Sequence, residues 1–524
     1  MQNQIVISPK NPKLKVVLVR GPIVMAKGAQ NNEATPAIAY AYLSSFLKKK
    51  GYDVVMVDAI GEGLDVIWPL KKYKGFFCQG LKFREIIERI PNNADVIAFS
   101  AMFSGEWPVL RDLIYEIRKR FPKQLFVAGG EHITALTEYS LKDCKAIDVC
   151  VRGEGEIPFL ELLEKFHKTK DFRGSPGTAY IEKRKYVENG TTVNARMKDI
   201  KDLPWPDWPD GYLEKFWECG KSYGRATKRD MPFLLSRGCP FRCAFCSNSR
   251  MYGPIYVLRD IDDVVAELKY YIKKYKITAV QLYDLTAITK RTWTIDFCNR
   301  LIKEKIKLIW STPSGTRSEA LDEEVLKLLK KVGLRYLVYA PETGSEKTLK
   351  RIRKSISLDT LTKSLLMAKK IGLTCRANLI IGFPGETWKD VFATLSYGTK
   401  LAIRGVDEVP YYIYSPYPGT EFFEELYENR QILLNDKYFF SLTSLNGDYL
   451  AVNKALSFNV SIHPRALGMV RVLFVMLNYG LSYLLYPTRI IRLFRSLTSK
   501  ETATVFEHRL KDVLKRTFSK KTNS

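Results

Sequence analysis

The sequence predicts an α/β chain in three parts: a doubly wound parallel sheet, a partial (βα)6 barrel, and a mainly helical C-terminal region. Three observations carry this. Short apolar runs alternate with amphipathic stretches from Lys13 to about Lys165, the alternation resumes from Pro232 to about Glu425, and it fails between and after these blocks. Alternating β and α segments imply parallel strands joined by right-handed crossovers.

In the first block "KVVLVRGP" (15–22), "YDVVMVDA" (52–59), "ADVIAFSA" (94–101), "QLFVAGG" (124–130) and "IDVCVRGEGE" (147–156) read as strands. Helical spacing recurs in 35–51, 107–121 and 156–168. The pattern is flavodoxin-like, and ligands of such sheets bind beyond the carboxyl ends of the strands, where Ser100, Gly129 and Gly130 fall. Residues 169–230 are less regular. Their "DLPWPDWPD" (202–210) suggests an ordered connector.

In the second block strands are expected at 233–236, 279–283, 307–312, 335–340, 375–381 and 408–414, with helices such as "LDEEVLKLLKKVG" (321–333) between them. Six βα units make a TIM-type partial barrel, whose active site belongs at the C-terminal ends of its strands. The expected boundaries are 13–168 for the first domain, 169–230 for the connector, 231–428 for the barrel and 429–524 for a helical, basic region.

The 524 residues carry 83 Lys and Arg against 56 Asp and Glu, a formal charge of +27. That excess favours anionic partners without choosing among them. Six of the nine cysteines are scattered singly, and "MQNQIVISPKNPKLK" lacks a signal-peptide pattern. Both facts fit a reducing, cytoplasmic location.

The other three cysteines stand together in "GCPFRCAFCSN" (238–248), spaced C-x3-C-x2-C. A structural zinc site completes a tetrahedron, often from two ligand pairs. No second pair follows Cys246, although Cys219 could be recruited, and a redox dithiol is a further alternative. Three thiols on one short loop fit an iron–sulfur cluster better. Three thiolates on a [4Fe–4S] cluster leave one iron open to a small chelating molecule.

On these residues the chain resembles the radical S-adenosylmethionine enzymes. The resemblance implies that Cys239, Cys243 and Cys246 hold the cluster, while the amino and carboxylate groups of S-adenosylmethionine chelate the open iron. One electron then cleaves the sulfonium, giving a 5′-deoxyadenosyl radical. Phe245 is the aromatic often found between the last two cysteines. "LYDLTAIT" (282–289) places Asp284 near the methionine amino group, "YAPETGSEKTLKRIRK" (339–354) places Glu342 near the ribose or methionine part, and "IIGFPGET" (380–387) supports the adenine around Gly382. Arg317 is a candidate partner for the cofactor carboxylate, or a helix-flanking salt bridge. Each piece alone also reads as structure: Asp284 as a strand-end cap, Glu342 as a surface charge, "GFPGE" as a turn.

The first domain resembles the cobalamin-binding domain of a subgroup of that family, through "GGEHIT" (129–134) and "VRGEGE" (151–156). Relatives often carry D-x-H-x-x-G, whose histidine ligates cobalt. Here "DAIGEG" keeps Asp58 and Gly63 and puts Ile60 at the histidine position. The expectation is cobalamin without a lower protein ligand, Ile60 keeping that face dry. Loss of the cofactor, or a flavin in its place, is the alternative, and His132 is better read as a structural histidine than as a cobalt ligand. Asp58, Ile60, Gly63, Ser100, Gly129 and Gly130 are thus expected near the corrin.

The resemblance implies C-methylation of an unactivated carbon, or else a radical cyclase or oxidase acting on a lipid or tetrapyrrole. A tRNA- or peptide-modifying role is a further alternative. The implied partners are a one-electron reductant such as flavodoxin or ferredoxin and a hydrophobic or lipid substrate. No catalytic residue is assigned. In the tail, 472–488 is an uncharged apolar run of 17 residues, short for a span of ~20, and 451–524 holds 13 Lys and Arg against 3 Asp and Glu. An apolar helix bordered by Arg465, Arg471, Arg489, Arg492 and Arg495 reads as a peripheral membrane element. A helix packed on the barrel, or a true span, is the alternative. Nucleic acid is not expected, since no interleaved aromatic and basic surface is evident.

Overall fold

The computed structural model describes residues 13–29, 34–190, 200–251, 253–447, 452 and 456–521, with backbone only at 249, 250 and 515–521. The N-terminal stretch read for a targeting signal lies, over residues 1–12, outside them.

Val16, Val17, Leu18 and Val19 are all buried, because helices cover both faces of their strand. That double burial is why the run is continuously apolar rather than alternating. Helices Ile38–Lys49 and Glu156–Thr169 cover one face of the sheet, and Trp107–Arg120 covers the other. The five parallel strands, Lys15–Arg20, Asp53–Asp58, Val96–Ser100, Leu125–Gly129 and Val149–Val151, lie in the order 2-1-3-4-5. The order reverses between the first and third, which is where doubly wound sheets open a ligand crevice.

The segment expected to be a connector does more than connect. Thr178–Glu182 and Lys185–Asn189 extend the same sheet as an antiparallel hairpin. Its turn residues Lys183 and Arg184 both have positive φ (47° and 67°). Such a turn normally advertises itself by Asn or Gly, and here that signal is missing. A second unexpected feature is the antiparallel sheet of Ile23–Ala26, Phe76–Gln79 and Ile67–Pro69. Its strands are too short to show a period. The "DLPWPDWPD" stretch is ordered through its tryptophans: Trp205 donates to Asp263 (2.9 Å), and buried Trp208 stacks on Tyr212.

The barrel is an open sheet of six parallel strands in chain order: Asp230–Phe233, Ala279–Leu282, Ile309–Thr316, Leu334–Glu342, Thr374–Ile381 and Tyr411–Ile413. The first begins three residues before its expected start. Ser236–Gly238 then pairs antiparallel with Tyr256–Leu258, closing the base of the cysteine loop.

Helices Pro464–Leu485, Thr488–Thr498 and Val505–Lys521 complete the chain. Buried Asp407 fastens the middle one to the barrel: it meets Arg492 at 2.7 Å and Arg489 at 3.6 Å and also pairs with Lys369. Arg492 reaches on to Glu507 (2.8 Å). Burial works against the Asp407 charge, yet Lys369, Arg492 and Arg489 outweigh it and hold the carboxyl below its usual range. Asp407→Ala strands these cations, so it should cost about 3–5 kcal/mol in urea denaturation at neutral pH. Because the folded pKa is depressed, the wild-type advantage is full above the ordinary carboxylate pKa. It should shrink as pH falls through the folded value.

Candidate functional site

Cys239, Cys243 and Cys246 sit on one partly exposed loop at the carboxyl end of the barrel. The helices Glu346–Arg351 and Glu421–Glu428, which follow the fourth and sixth strands, pin the loop. Ala244 N donates to Ile352 O (3.0 Å), and Phe422 N donates to Ala244 O (3.2 Å). Phe245 packs edge-on against Phe383 of "GFPGE", with 5.6 Å between ring centres. Phe241 lies under the Arg317 guanidinium at 3.6 Å, a cation–π contact. Arg317 also bonds Glu319 and the Ser355 carbonyl.

Burial raises the pKa of all three thiols, that of Cys246 to about 12. Lys354 and Arg317 pull Cys239 and Cys243 the other way. Thiols held by burial but faced by two fixed cations suit a ligand that takes thiolates and brings positive charge of its own. Among the described residues no three His, Cys, Asp or Glu side chains converge on a single-ion position. A cubane asks for no such point, because each thiolate binds a different iron. Cys219 lies elsewhere, against Asp65 (3.3 Å).

Glu342 is not a surface charge. It is buried, pairs with Lys354 at 2.9 Å and holds φ at +65° at the end of the fourth strand. A non-glycine residue in that conformation is strained, and its surroundings must hold it there. Lys354 is buried too. Burial opposes its charge, but Glu342 and Cys243 keep its pKa above the ordinary value. Sequence reasoning passed over Lys354, one of several basic residues in "KRIRK".

Asp284 behaves as the strand-end cap. Both oxygens accept from Leu235 N (3.1 and 3.2 Å), and one accepts from the Ser236 hydroxyl. Its carboxylate thus holds the chain just before the cysteine loop, and burial raises its pKa to about 6. Gly382 has φ +81°, and its N–H donates to buried Glu386 at 2.7 Å. A Cβ there would meet Leu467 at 2.6 Å.

A cavity of about 330 Å³ opens between the two sheets. Leu18, Ala98 and Val127 form its floor, Ser100, Gly129 and Gly130 its strand-end rim, and Gly238 and Tyr283 its barrel wall. Gly130 has φ +104°, and a Cβ would strike Ala101 O at 2.7 Å, so only glycine lets this turn approach so closely. Gly155 also lines the cavity, with nothing within 4 Å of its would-be Cβ. A mostly apolar recess edged by glycines at the switch point suits one face of a large planar ring.

Asp58, Ile60 and Gly63 are not brought to this cavity. Asp58 is buried and accepts from Tyr212 (2.6 Å), Arg20 (3.3 Å) and Ile60 N (3.0 Å). Ile60 lies in the barrel-side core, and a Cβ on Gly63 would strike Leu81 N at 2.6 Å. Tyr212, from the connector, seals the turn that the sequence pattern left open. His132 is likewise core: it stacks on Trp107, its Nδ1 meets Ser104 at 2.9 Å, and burial drops its pKa to about 3.

The Radical SAM superfamily is matched over residues 233–397, and the B12 binding domain over 29–163. The chain belongs to the radical S-adenosylmethionine enzymes that carry a cobalamin-binding domain. Its cofactors are therefore a [4Fe–4S] cluster, S-adenosylmethionine and cobalamin. An uncharacterised methyltransferase of Pyrococcus horikoshii is 28% identical over 80% of this chain and 84% of its own. The anaerobic magnesium-protoporphyrin IX monomethyl ester cyclase of Rubrivivax gelatinosus is 28% identical over 81% of this chain and 72% of its own. The fold is also that of a radical S-adenosylmethionine methyltransferase, TsrM, of Kitasatospora setae. The two superpose with a TM-score of 0.60 at 16% identity, covering 79% of this chain and 78% of that one.

The Asp284 cap makes a pH prediction. An acid whose folded pKa is raised stabilises the fold below its unfolded pKa and loses that contribution as pH rises through the folded value. Between pH of about 4 and 6 the wild type should therefore lose stability relative to Asp284→Asn. Paired melting curves across that window read the difference directly.

Proposed function

We propose that this enzyme methylates an unactivated carbon of a hydrophobic, lipid-like substrate. The observation that carries the reading is the cavity itself, which runs from the glycine rim of the first sheet to Gly238, the residue next to Cys239. The groups held at its two ends supply one-electron sulfonium cleavage and a transferable methyl group.

The chain's own part is placement. Cys239, Cys243 and Cys246 hold the cluster, with Arg317 and Lys354 offsetting the charge of three thiolates. Glu342 and Gly382 shape the seat for S-adenosylmethionine, Phe245 braces the loop on Phe383, and Asp284 fixes the approach to the loop. Ser100, Gly129 and Gly130 form the corrin side, without Asp58, Ile60 or Gly63. Met102 and Leu285, just past their strand ends, line the cavity and expose apolar surface, which favours an apolar substrate and helps to exclude water. The partly exposed cysteine loop leaves room for a one-electron reductant of the flavodoxin or ferredoxin type. Nine free cysteines suit a cytoplasmic setting.

A cyclisation reading is favoured by the similarity to the cyclase, and product mass separates the two: methylation adds one methyl group and cyclisation removes hydrogen. Gly155 tests the cavity. Its φ of −80° accommodates any residue, so Gly155→Trp fills the recess without backbone strain. Anaerobic reconstitution with iron, sulfide and hydroxocobalamin should then give the variant its full iron content, about four per chain, and little cobalamin. Equal cobalamin in wild type and variant would contradict the placement.

A further inference from the structure

The first two of the three C-terminal helices are inside out. A helix in a water-soluble fold turns its apolar stripe to the core and its polar residues to water. Along Pro464–Leu485 the buried positions include Arg471, Asn478 and Ser482, whereas Met469, Leu473, Met476 and Leu484 are between 59% and 77% exposed. Their spacing puts the exposed four on one face. The polar face packs inward: Asn478 donates to Tyr411 OH of the barrel and accepts from Thr399, both at 2.9 Å, and Arg471 donates to Leu445 O (3.2 Å) at the end of helix Asp436–Ser444. Thr488–Thr498 repeats the inversion, with Arg489 and Ser496 buried and Ile490, Ile491 and Phe494 between 45% and 65% exposed.

The charge along these two helices has one sign. Residues 464–498 contain five arginines and no Asp or Glu. Arg471 and Arg489 are buried, and Arg492 is committed to Asp407 and Glu507. The expectation that all five border a membrane is corrected to that extent: their spacing along the sequence does not reveal which of them turn inward. Arg465 and Arg495 remain exposed, followed by Lys500.

We propose that this face docks on an anionic lipid bilayer, lying in the interface without crossing it. Exposed apolar side chains on helices whose own charged residues are all cationic complement acidic headgroups over hydrocarbon. A second copy of the chain would set like charges against one another. The first helix, at 22 residues, is long enough to span. Yet its inner face is fastened on the barrel from Leu467 to Asn478, and extraction would carry Arg471 and Asn478 into hydrocarbon without their partners. The inference rests on the proposed lipid-like substrate only for its purpose, which is to bring the mouth of the site to where such a substrate resides.

The test is flotation of the full chain, without S-adenosylmethionine or substrate, on vesicles of phosphatidylcholine alone or with one third phosphatidylglycerol. The wild type should float with the anionic vesicles and about tenfold less with the neutral ones. The triple variant Leu473→Gln, Met476→Gln, Phe494→Gln should stay in the aqueous fraction while keeping its melting temperature and iron content. Arg495→Gln with Lys500→Gln should reduce the preference for anionic vesicles. A wild type that never floats, or a triple variant that floats equally, overturns the proposal. So does a soluble wild-type dimer that the triple variant splits, which would make the face a self-association surface. Flotation is read apart from catalysis, so its failure leaves methyl transfer standing, and failed methyl transfer leaves the membrane contact standing.

Discussion

Arg237 donates to Glu156 at 2.6 Å across the seam between the two sheets, and both side chains are largely buried. Burial resists the Glu156 charge, but Arg237 more than compensates and holds its pKa below the usual carboxylate range. Glu156 begins the helix that follows the fifth parallel strand of the first sheet, and Arg237 stands two residues before Cys239. A second bridge runs from the Ser247 hydroxyl to Glu131, directly after Gly130. The two sheets are therefore joined at their carboxyl ends, where each fold presents its ligands. Breaking either partner of a buried pair costs about 3–5 kcal/mol, so the seam has one preferred arrangement. The shared cavity follows from it.

That joint explains why the site is built from loops yet held rigidly. The cysteine loop is closed below by the Ser236–Gly238 pairing, braced laterally by Phe245 on Phe383, and flanked by the Glu342–Lys354 pair. The strained backbone of Glu342 is affordable only in such a setting. The fixed cations beside the thiols and the glycine rim of the cavity are both in place before any ligand arrives, so little reorganisation accompanies binding.

The parallel strands were legible because burial on both faces leaves an unbroken apolar run, as at Val16–Val19. The cysteine spacing was legible because its ligands are local in sequence. What escaped depended on contacts distant in sequence. Ile60 was expected at the corrin because its motif position points there, but Tyr212, more than 150 residues later, closes over Asp58. The Lys183–Arg184 hairpin lacked the residues that usually mark a positive-φ turn. The tail arginines looked alike in sequence, and only Asp407 and Glu507 separate those that fasten the helices from those left on the surface. Asp284 turned out to organise the chain through backbone N–H groups, a role its segment allowed but did not announce.

The central claim is that one cavity places cobalamin and the cluster at the same carboxyl-end junction. Pulsed electron paramagnetic resonance on the anaerobic enzyme, with cob(II)alamin and the reduced cluster both present, tests it most directly. The account predicts a resolved dipolar coupling between the two spins, lost in a cavity-filled variant that still contains its cluster. Two independent spectra with no coupling, in protein loaded with both groups, would contradict it.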